Sequence, residues 1–398
     1  MTEKPVAGRR AAALLFAVVL LDMVGFGIVI PILPFITPRL GGSEFDIALI
    51  IASYAVFATL VGPLWGRLSD RFGRKPVLML CTVGASVAYL LLALADTLWM
   101  IYAARALAGL MAGNFPVASA MMADVTPPGE RAKGMGLVGA AFGMGLVLGP
   151  LLGGLLAGPD GSFTLPCLLA AAMSVLAVLA AWLFLPESRS AEARAVPGSS
   201  AGLWSILRET QSRLLMLQYL LHTGSISAIT YLFPLWVYAQ LDWEAREVGI
   251  VFGVVGAIMA INQGVLMGRL VGFAGEVKIL RVCTSLFLAG VFLATFASGA
   301  FAMVGSLILA LGGATLCMPI LNAMTSRRGA IGDRGRLLGA ASAAAGLGRV
   351  FGPIITGALL TLGGFRIAWG LPLLMVLCYC LWAYSHWARR EPPLHNAE

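Results

Sequence analysis

Apolar residues run along this chain in stretches too long and too unbroken for the core of a soluble protein, interrupted by short charged or Gly/Pro-rich points. A membrane-spanning helix needs about 20 such residues. Breaking the chain at the interruptions predicts twelve spans, at 11–35, 45–66, 76–95, 98–123, 134–157, 163–185, 213–239, 247–268, 278–298, 300–325, 337–362 and 366–388. The first run is longer than a signal-peptide core and lacks a cleavage site, so the first helix is expected to stay. The predicted fold is an all-α membrane protein.

Composition agrees with this class. With 59% hydrophobic and 12% charged residues and a mean hydropathy of +0.90, the chain is far more apolar than a soluble domain. The net charge of +8 invites a nucleic-acid reading, and its distribution argues against one. Of 27 Lys and Arg residues, Arg105 and Arg349 fall inside spans, 22 fall on one face, and only Arg39, Arg246 and Arg366 fall on the other. That asymmetry is the positive-inside rule, and it orients both termini toward the cytoplasm, the arrangement expected of a multi-pass protein of the plasma (inner) membrane. The six cysteines all lie in spans, with neither disulfide nor zinc-site spacing, and read as buried thiols. The three histidines are isolated. No metal, cofactor or catalytic activity is expected.

The loop Gly66–Pro76 carries four basic residues, Arg67, Arg71, Arg74 and Lys75, with the single acid Asp70 and two glycines. Topology marking alone does not require that acid, which suggests a docking surface. Part of the loop recurs: Gly66-Arg67-Leu68 with Gly73 matches Gly268-Arg269-Leu270 with Gly275 at an offset of 202. At 203, Gly109 matches Gly312, Arg131 matches Arg334, Gly136 matches Gly339, and Gly145-x-x-x-Gly149-Pro150 matches Gly348-x-x-x-Gly352-Pro353. The reading is a duplication of two pseudo-symmetric six-helix bundles, 1–185 and 213–398, joined by a polar cytoplasmic linker at 186–212. Glycines and prolines kept in both halves are expected to serve packing and bending. Charges kept in one half need another explanation: Asp22 maps to Ser225, Asp70 to Gly272, Arg105 to Ile308 and Arg349 to Leu146.

Asp22 lies about 16 Å into the first span at the rise of a helix, near mid-membrane, and Arg105 lies at nearly the same depth in the fourth. A carboxylate there is costly to keep charged unless paired, which suits it to taking up and releasing protons. The two residues could pair, either as part of a proton pathway or as a fixed structural pair. Arg349, also near mid-membrane, could hold an anionic substrate group, pair with Asp22, or orient carbonyls near Gly352-Pro353. Asn114, Asn262, Gln263 and Asn322 are candidates for hydrogen bonds to substrate or between helices. Phe26, Tyr231, Phe233, Trp236 and Tyr238 could line an apolar cavity or face lipid.

Together these motifs resemble the major facilitator superfamily, and within it the twelve-helix drug/H⁺ antiporters of the tetracycline-resistance branch. Gly66–Pro76 resembles the superfamily signature between helices 2 and 3, and Arg105 with Gly109 resembles the helix 4 motif implicated in proton coupling. Gly145 to Gly154, with Gly149, Pro150 and Gly153 between them, resembles the antiporter motif of helix 5. Leu21-Asp22-Met23-Val24-Gly25-Phe26-Gly27, and Ala123-Asp124-Val125-Thr126-Pro127 before Glu130-Arg131, are similar to that branch. The resemblance implies a monomeric, proton-driven exporter of small amphipathic compounds, embedded in the bilayer and conferring antibiotic resistance. It implies a central cavity between rocking halves, with Asp22 and Arg105 coupling the proton. It also implies a cytoplasmic latch in which Asp70 works with Arg71, Arg74, Lys75, Arg131 and Asp124 against the start of helix 11. The alternative is an exporter or facilitator of a specific, perhaps anionic, metabolite. Gln263 matches a glutamine of the branch, but Ala88, Met259 and Phe287 stand near three of its polar positions, which argues for a less polar substrate than tetracycline.

Overall fold

The computed structural model describes residues 4–127, 130–158, 162–188, 209–328 and 334–388, and among them all regular structure is helical. The chain divides into two compact units, Met1–Gly198 with Trp243–Ala260, and Ser199–Asp242 with Ile261–Glu398. The first holds α1 (Lys4–Val29), α2 (Leu33–Arg39), α3 (Glu44–Phe72), α4 (Arg74–Ala93), α5 (Leu98–Leu110), α6 (Asn114–Val125), α7 (Arg131–Leu156), α8 (Thr164–Phe184) and nearly all of α10 (Ala245–Ile261). The second holds α9 (Thr210–Leu241), a π turn at Asn262–Leu266, α11 (Met267–Ala274), α12 (Glu276–Thr295), α13 (Ala300–Ala314), α14 (Cys317–Arg328) and α15 (Arg334–Tyr384).

Eleven described segments are long and apolar enough to cross a membrane. The last of them, Leu337–Tyr384, is two spans in one, because the backbone leaves helical values at Gly363 (φ −154°, ψ 17°) and Gly364 (φ 70°, ψ −171°). Each of the twelve predicted spans therefore has a helical counterpart.

Lipid tails are as apolar as leucine, so helices in a bilayer associate by close van der Waals fit, which small residues permit. The first unit does this where α1 crosses α7. A Cβ on Gly27 would stand 2.8 Å from the Gly145 carbonyl oxygen and 2.9 Å from Pro150 Cδ, and one on Gly149 would stand 2.5 Å from Gly27 Cα. Gly153 is closed in the same way by Ile28, while Gly154 faces α10, where a Cβ would meet Ala245 O at 2.5 Å and Gly249 Cα at 2.8 Å. In the second unit Gly348 and Gly352 of α15 press on Gly224 of α9, with no room for a side chain. The repeated Gly-x-x-x-Gly-Pro is thus a backbone contact in both units.

Not every repeated glycine serves this purpose. Gly73 (φ 107°) and Gly275 (φ 78°) take matching corners between α3 and α4 and between α11 and α12, in the region that disfavours a Cβ. By contrast, a Cβ at Gly66, Gly136, Gly268 or Gly339 would meet nothing within 4 Å, so the packing role expected of these four is not realised.

Two spans are broken mid-membrane, and in each unit a side chain from another helix takes a carbonyl near the break, as a medium without water requires. Between α5 and α6, Trp65 Nε1 donates to Leu110 O at 2.7 Å. Near the end of α13, Asn262 Nδ2 donates to Gly312 O at 3.2 Å and Gln263 Nε2 to Thr315 O at 3.4 Å. These two amides sit on the π turn, where the extra residue per turn re-aims side chains.

Replacing Gly149 by leucine should lower stability by at least about 1–3 kcal/mol through overpacking against α1, read as an earlier unfolding transition in detergent. Gly66→Ala, with open space at the site, should leave the transition unchanged or slightly higher.

Candidate functional site

The sequence candidates of the first unit gather at two levels. At mid-membrane, Asp22 on α1 is buried, 4% exposed. Its Oδ1 accepts from Asn114 Nδ2 at 2.7 Å, and Asn114 Oδ1 accepts from Thr82 Oγ1 at 3.4 Å. Asn114 is the first residue of α6, presented by the break at 111–113. Gly113 beside it is enclosed, since a Cβ there would stand 2.6 Å from both Cys81 Sγ and Trp65 Cγ. Asn114 therefore binds the acid and not open space.

Arg105 does not pair with Asp22, which corrects the expectation drawn from their equal depth. Depth along two helices says nothing of the direction in which each side chain points. The Arg105 guanidinium lies over the ring of Tyr54, 4.5 Å from its centroid, and Phe26 packs on the same ring at 5.3 Å. Arg105 Nε is enclosed without an acceptor. A desolvated cation–π contact contributes about 2 kcal/mol, less than the several kcal/mol that an unpaired buried charge costs. The charge is undercompensated among the described residues.

At the level of the Gly66–Pro76 loop, a second cluster centres on Arg74, the first residue of α4, which is buried although charged. Its guanidinium bonds three ways: Nη2 to Asp70 Oδ1 at 2.8 Å, Nε to Asp124 Oδ2 at 3.1 Å and Nη1 to Ser69 Oγ at 2.6 Å. Sequence reasoning missed Glu187. Its two carboxylate oxygens accept the backbone N–H groups of Arg74 (2.9 Å) and Lys75 (3.2 Å), the positive end of α4. The available signal was an acid just past the sixth span, on the same face as the basic loop. Lys75 Nζ reaches Trp182 O at 2.8 Å, and Ser188 Oγ donates to Asp124 Oδ2 at 3.3 Å. Arg71 instead turns outward over Phe72, 5.4 Å from its ring. The side chain of Arg131 lies outside the described residues.

The second unit carries a copy of the central ion pair with its signs exchanged. Glu276, first residue of α12, pairs with Arg327 on α14. These positions correspond to Arg74 and Asp124 at the duplication offsets of 202 and 203.

The other candidates of this unit lie mostly on protein partners. Asn262 and Gln263 bind the α13 carbonyls described above, and Asn322 accepts from Tyr219 Oη at 2.8 Å. Arg349 is exposed on α15. Tyr231, Phe233 and Trp236 are buried, so they pack the interior and do not line an open cavity, whereas Tyr238 is exposed. Five of the cysteines are buried and Cys378 is exposed.

Because Arg74 anchors three groups, Arg74→Ala should destabilise the protein by about 3 kcal/mol or more, whereas Asp70→Asn, at a half-exposed carboxylate, should cost at most about 1 kcal/mol. Unfolding in detergent compares the two.

The profile of the Major Facilitator Superfamily matches residues 15–328 and 263–398. The class C tetracycline resistance protein of Escherichia coli is 32% identical, over 88% of this chain and 89% of its own length. Multidrug resistance protein 1 of Bacillus subtilis is 30% identical, over 84% and 86%. In structure, the human organic anion transporter MFSD10 (TETRAN) superposes with a TM-score of 0.74 at 24% identity, covering 94% of this chain and 99% of that one. A bacterial homolog of the human lysosomal transporter Spinster superposes at 0.79 with 14% identity, covering 95% and 96%. Twelve spans, a duplicated Gly-x-x-x-Gly-Pro contact and these matches converge: the chain is a multi-pass membrane transporter of small molecules and belongs to the major facilitator superfamily.

Proposed function

We propose that this transporter exports small amphipathic compounds in exchange for protons across the cytoplasmic membrane, as a monomer with both termini in the cytoplasm. The observation that carries the reading is Asp22, an acid enclosed inside a span whose hydrogen-bond partner is the uncharged Asn114. A carboxylate with no compensating cation costs much when ionised and little when neutral, so its environment responds to each proton gained or lost. The protein's relatives include proteins named for tetracycline and multidrug resistance, which supports a drug-like cargo. Phe287, near a position where the tetracycline branch carries an acid, is fully buried against His222 with ring centroids 6.0 Å apart, which favours a less polar cargo than tetracycline.

In this reading the duplicated bundles, 1–185 and 213–398, alternate in exposing the cargo, and the Arg74 cluster serves as the cytoplasmic latch. Asp70, Lys75 and Asp124 act with Arg74, and Glu187 fixes the start of α4. Asp70 and Glu187 are then the groups through which the latch acts on transport rate.

Proteoliposomes with an imposed pH gradient test the proposal, with ethidium and tetracycline as cargo. Wild-type protein should drive ethidium uphill and Asp22→Asn should not; uphill movement by Asp22→Asn at the wild-type rate would rule out proton exchange through this acid. In the same vesicles Asp70→Asn should slow transport while leaving the unfolding transition nearly in place. Unchanged transport would reduce the loop to an orientation signal.

A further inference from the structure

Arg105 is 6% exposed within a span, and among the described residues no acid and no hydrogen-bond acceptor meets its guanidinium. Asp22, the acid at its depth, is held by Asn114. Arginine carries five N–H donors in a planar fork and no acceptor, and it stays charged throughout the physiological range. The Nε of Arg105 is enclosed, so a ligand meets the fork through the two terminal nitrogens. Its surroundings are aromatic: Tyr54 covers the guanidinium at 4.5 Å, and Phe26 extends the surface from Tyr54 at 5.3 Å. Both rings are only partly buried, while Tyr89 and Cys167, which lie within electrostatic range of Arg105, are closed. The site thus combines a fixed positive fork with an aromatic wall that keeps open area.

We propose that Phe26, Tyr54 and Arg105 form a binding subsite for aromatic carboxylates. The carboxylate oxygens accept the N–H groups of Arg105 as a fork-to-fork pair, and the ring of the ligand lies on Tyr54 and Phe26. A neutral ligand leaves the guanidinium charge uncompensated. The inference rests on the chain's being a small-molecule transporter but not on proton exchange through Asp22, so either can fail alone.

The test uses the purified full-length protein in detergent micelles and a pair of probes that differ in charge and little else, 2-naphthoate and 2-naphthamide, titrated calorimetrically at neutral pH. Wild-type protein should bind the carboxylate at least about tenfold more tightly than the amide, as expected of a charge-assisted pair. Arg105→Gln should remove that preference, leaving both probes at the level of the amide. Arg105→Lys, which keeps the charge and loses the fork, should retain only part of it. Tyr54→Leu should weaken both probes together, since it removes ring contact and leaves the charge in place. Asp22→Asn should keep the preference for the carboxylate even if it abolishes uphill transport in vesicles.

Size-exclusion profiles and unfolding transitions establish which variants fold. If Arg105→Gln does not, the Arg105→Lys comparison decides. Failure of 2-naphthoate to bind, equal binding of the two probes by wild-type protein, or an undiminished preference in either Arg105 variant would overturn the subsite. Loss of proton-driven transport with the preference intact would overturn only the proton reading.

Discussion

Every polar feature of this transporter depends on how closely its helices approach one another. In lipid there is no solvent to expel from between two apolar helices, so their contact must come from fit. Here fit means backbone against backbone. Gly27 on α1 meets Gly145 and Gly149 on α7, and Gly224 on α9 meets Gly348 and Gly352 on α15. Once α1 is seated this way, the rest of its face is fixed. Gly25 stands against Ala170 O, 3.2 Å from where a Cβ would lie, and against Tyr89 at 3.3 Å. Asp22, about one turn earlier, is thereby held on α6 and not on α5. The geometry of the acid is a consequence of the glycine contact.

The second constraint is the bilayer's intolerance of unsatisfied backbone. A span that breaks mid-membrane gains a place to present a side chain, but its freed carbonyls need donors. The two units meet the same need with different chemistry, an indole from α3 in one and two amides on a π turn in the other. The break between α5 and α6 is what brings Asn114 to Asp22. Asn262 and Gln263, expected to face substrate or a neighbouring helix, lie on helix carbonyls.

Much of this was legible in the sequence, and the failures have physical causes. Span number and the duplication could be read because hydropathy and glycine spacing are one-dimensional properties. That Asp22 and Arg105 take different partners could not, because equal depth leaves the rotation of each helix about its own axis undetermined. The exchanged pair Glu276–Arg327 escaped a comparison based on residue identity, since the duplication preserved the interaction and reversed its signs. Glu187 was passed over because its bonds to the start of α4 run to backbone N–H groups, which leave no mark in residue identity. Gly66 and Gly268 were over-read: recurrence alone does not distinguish a glycine with no room for a Cβ from one in open space.

The exchanged pair also separates fold from function more sharply than the presence or absence of a charge does. An ion pair that survives duplication with its polarity reversed is needed for attraction between two helix ends, whichever end carries which sign. Arg74–Asp124 and Glu276–Arg327 therefore belong to the fold. Asp70, which becomes Gly272, adds to the first unit an acid that the attraction does not require, on a guanidinium already bonded to Asp124 and Ser69. The same reasoning applies at mid-membrane, where Asp22 and Arg105 map to Ser225 and Ile308. A bundle of this architecture stands without either charge, so burying both in the first unit, on different partners, is a cost that folding does not explain. Housed on separate partners, the two charges fit the two proposed roles, a proton at Asp22 and an anion at Arg105, which a mutual ion pair would prevent.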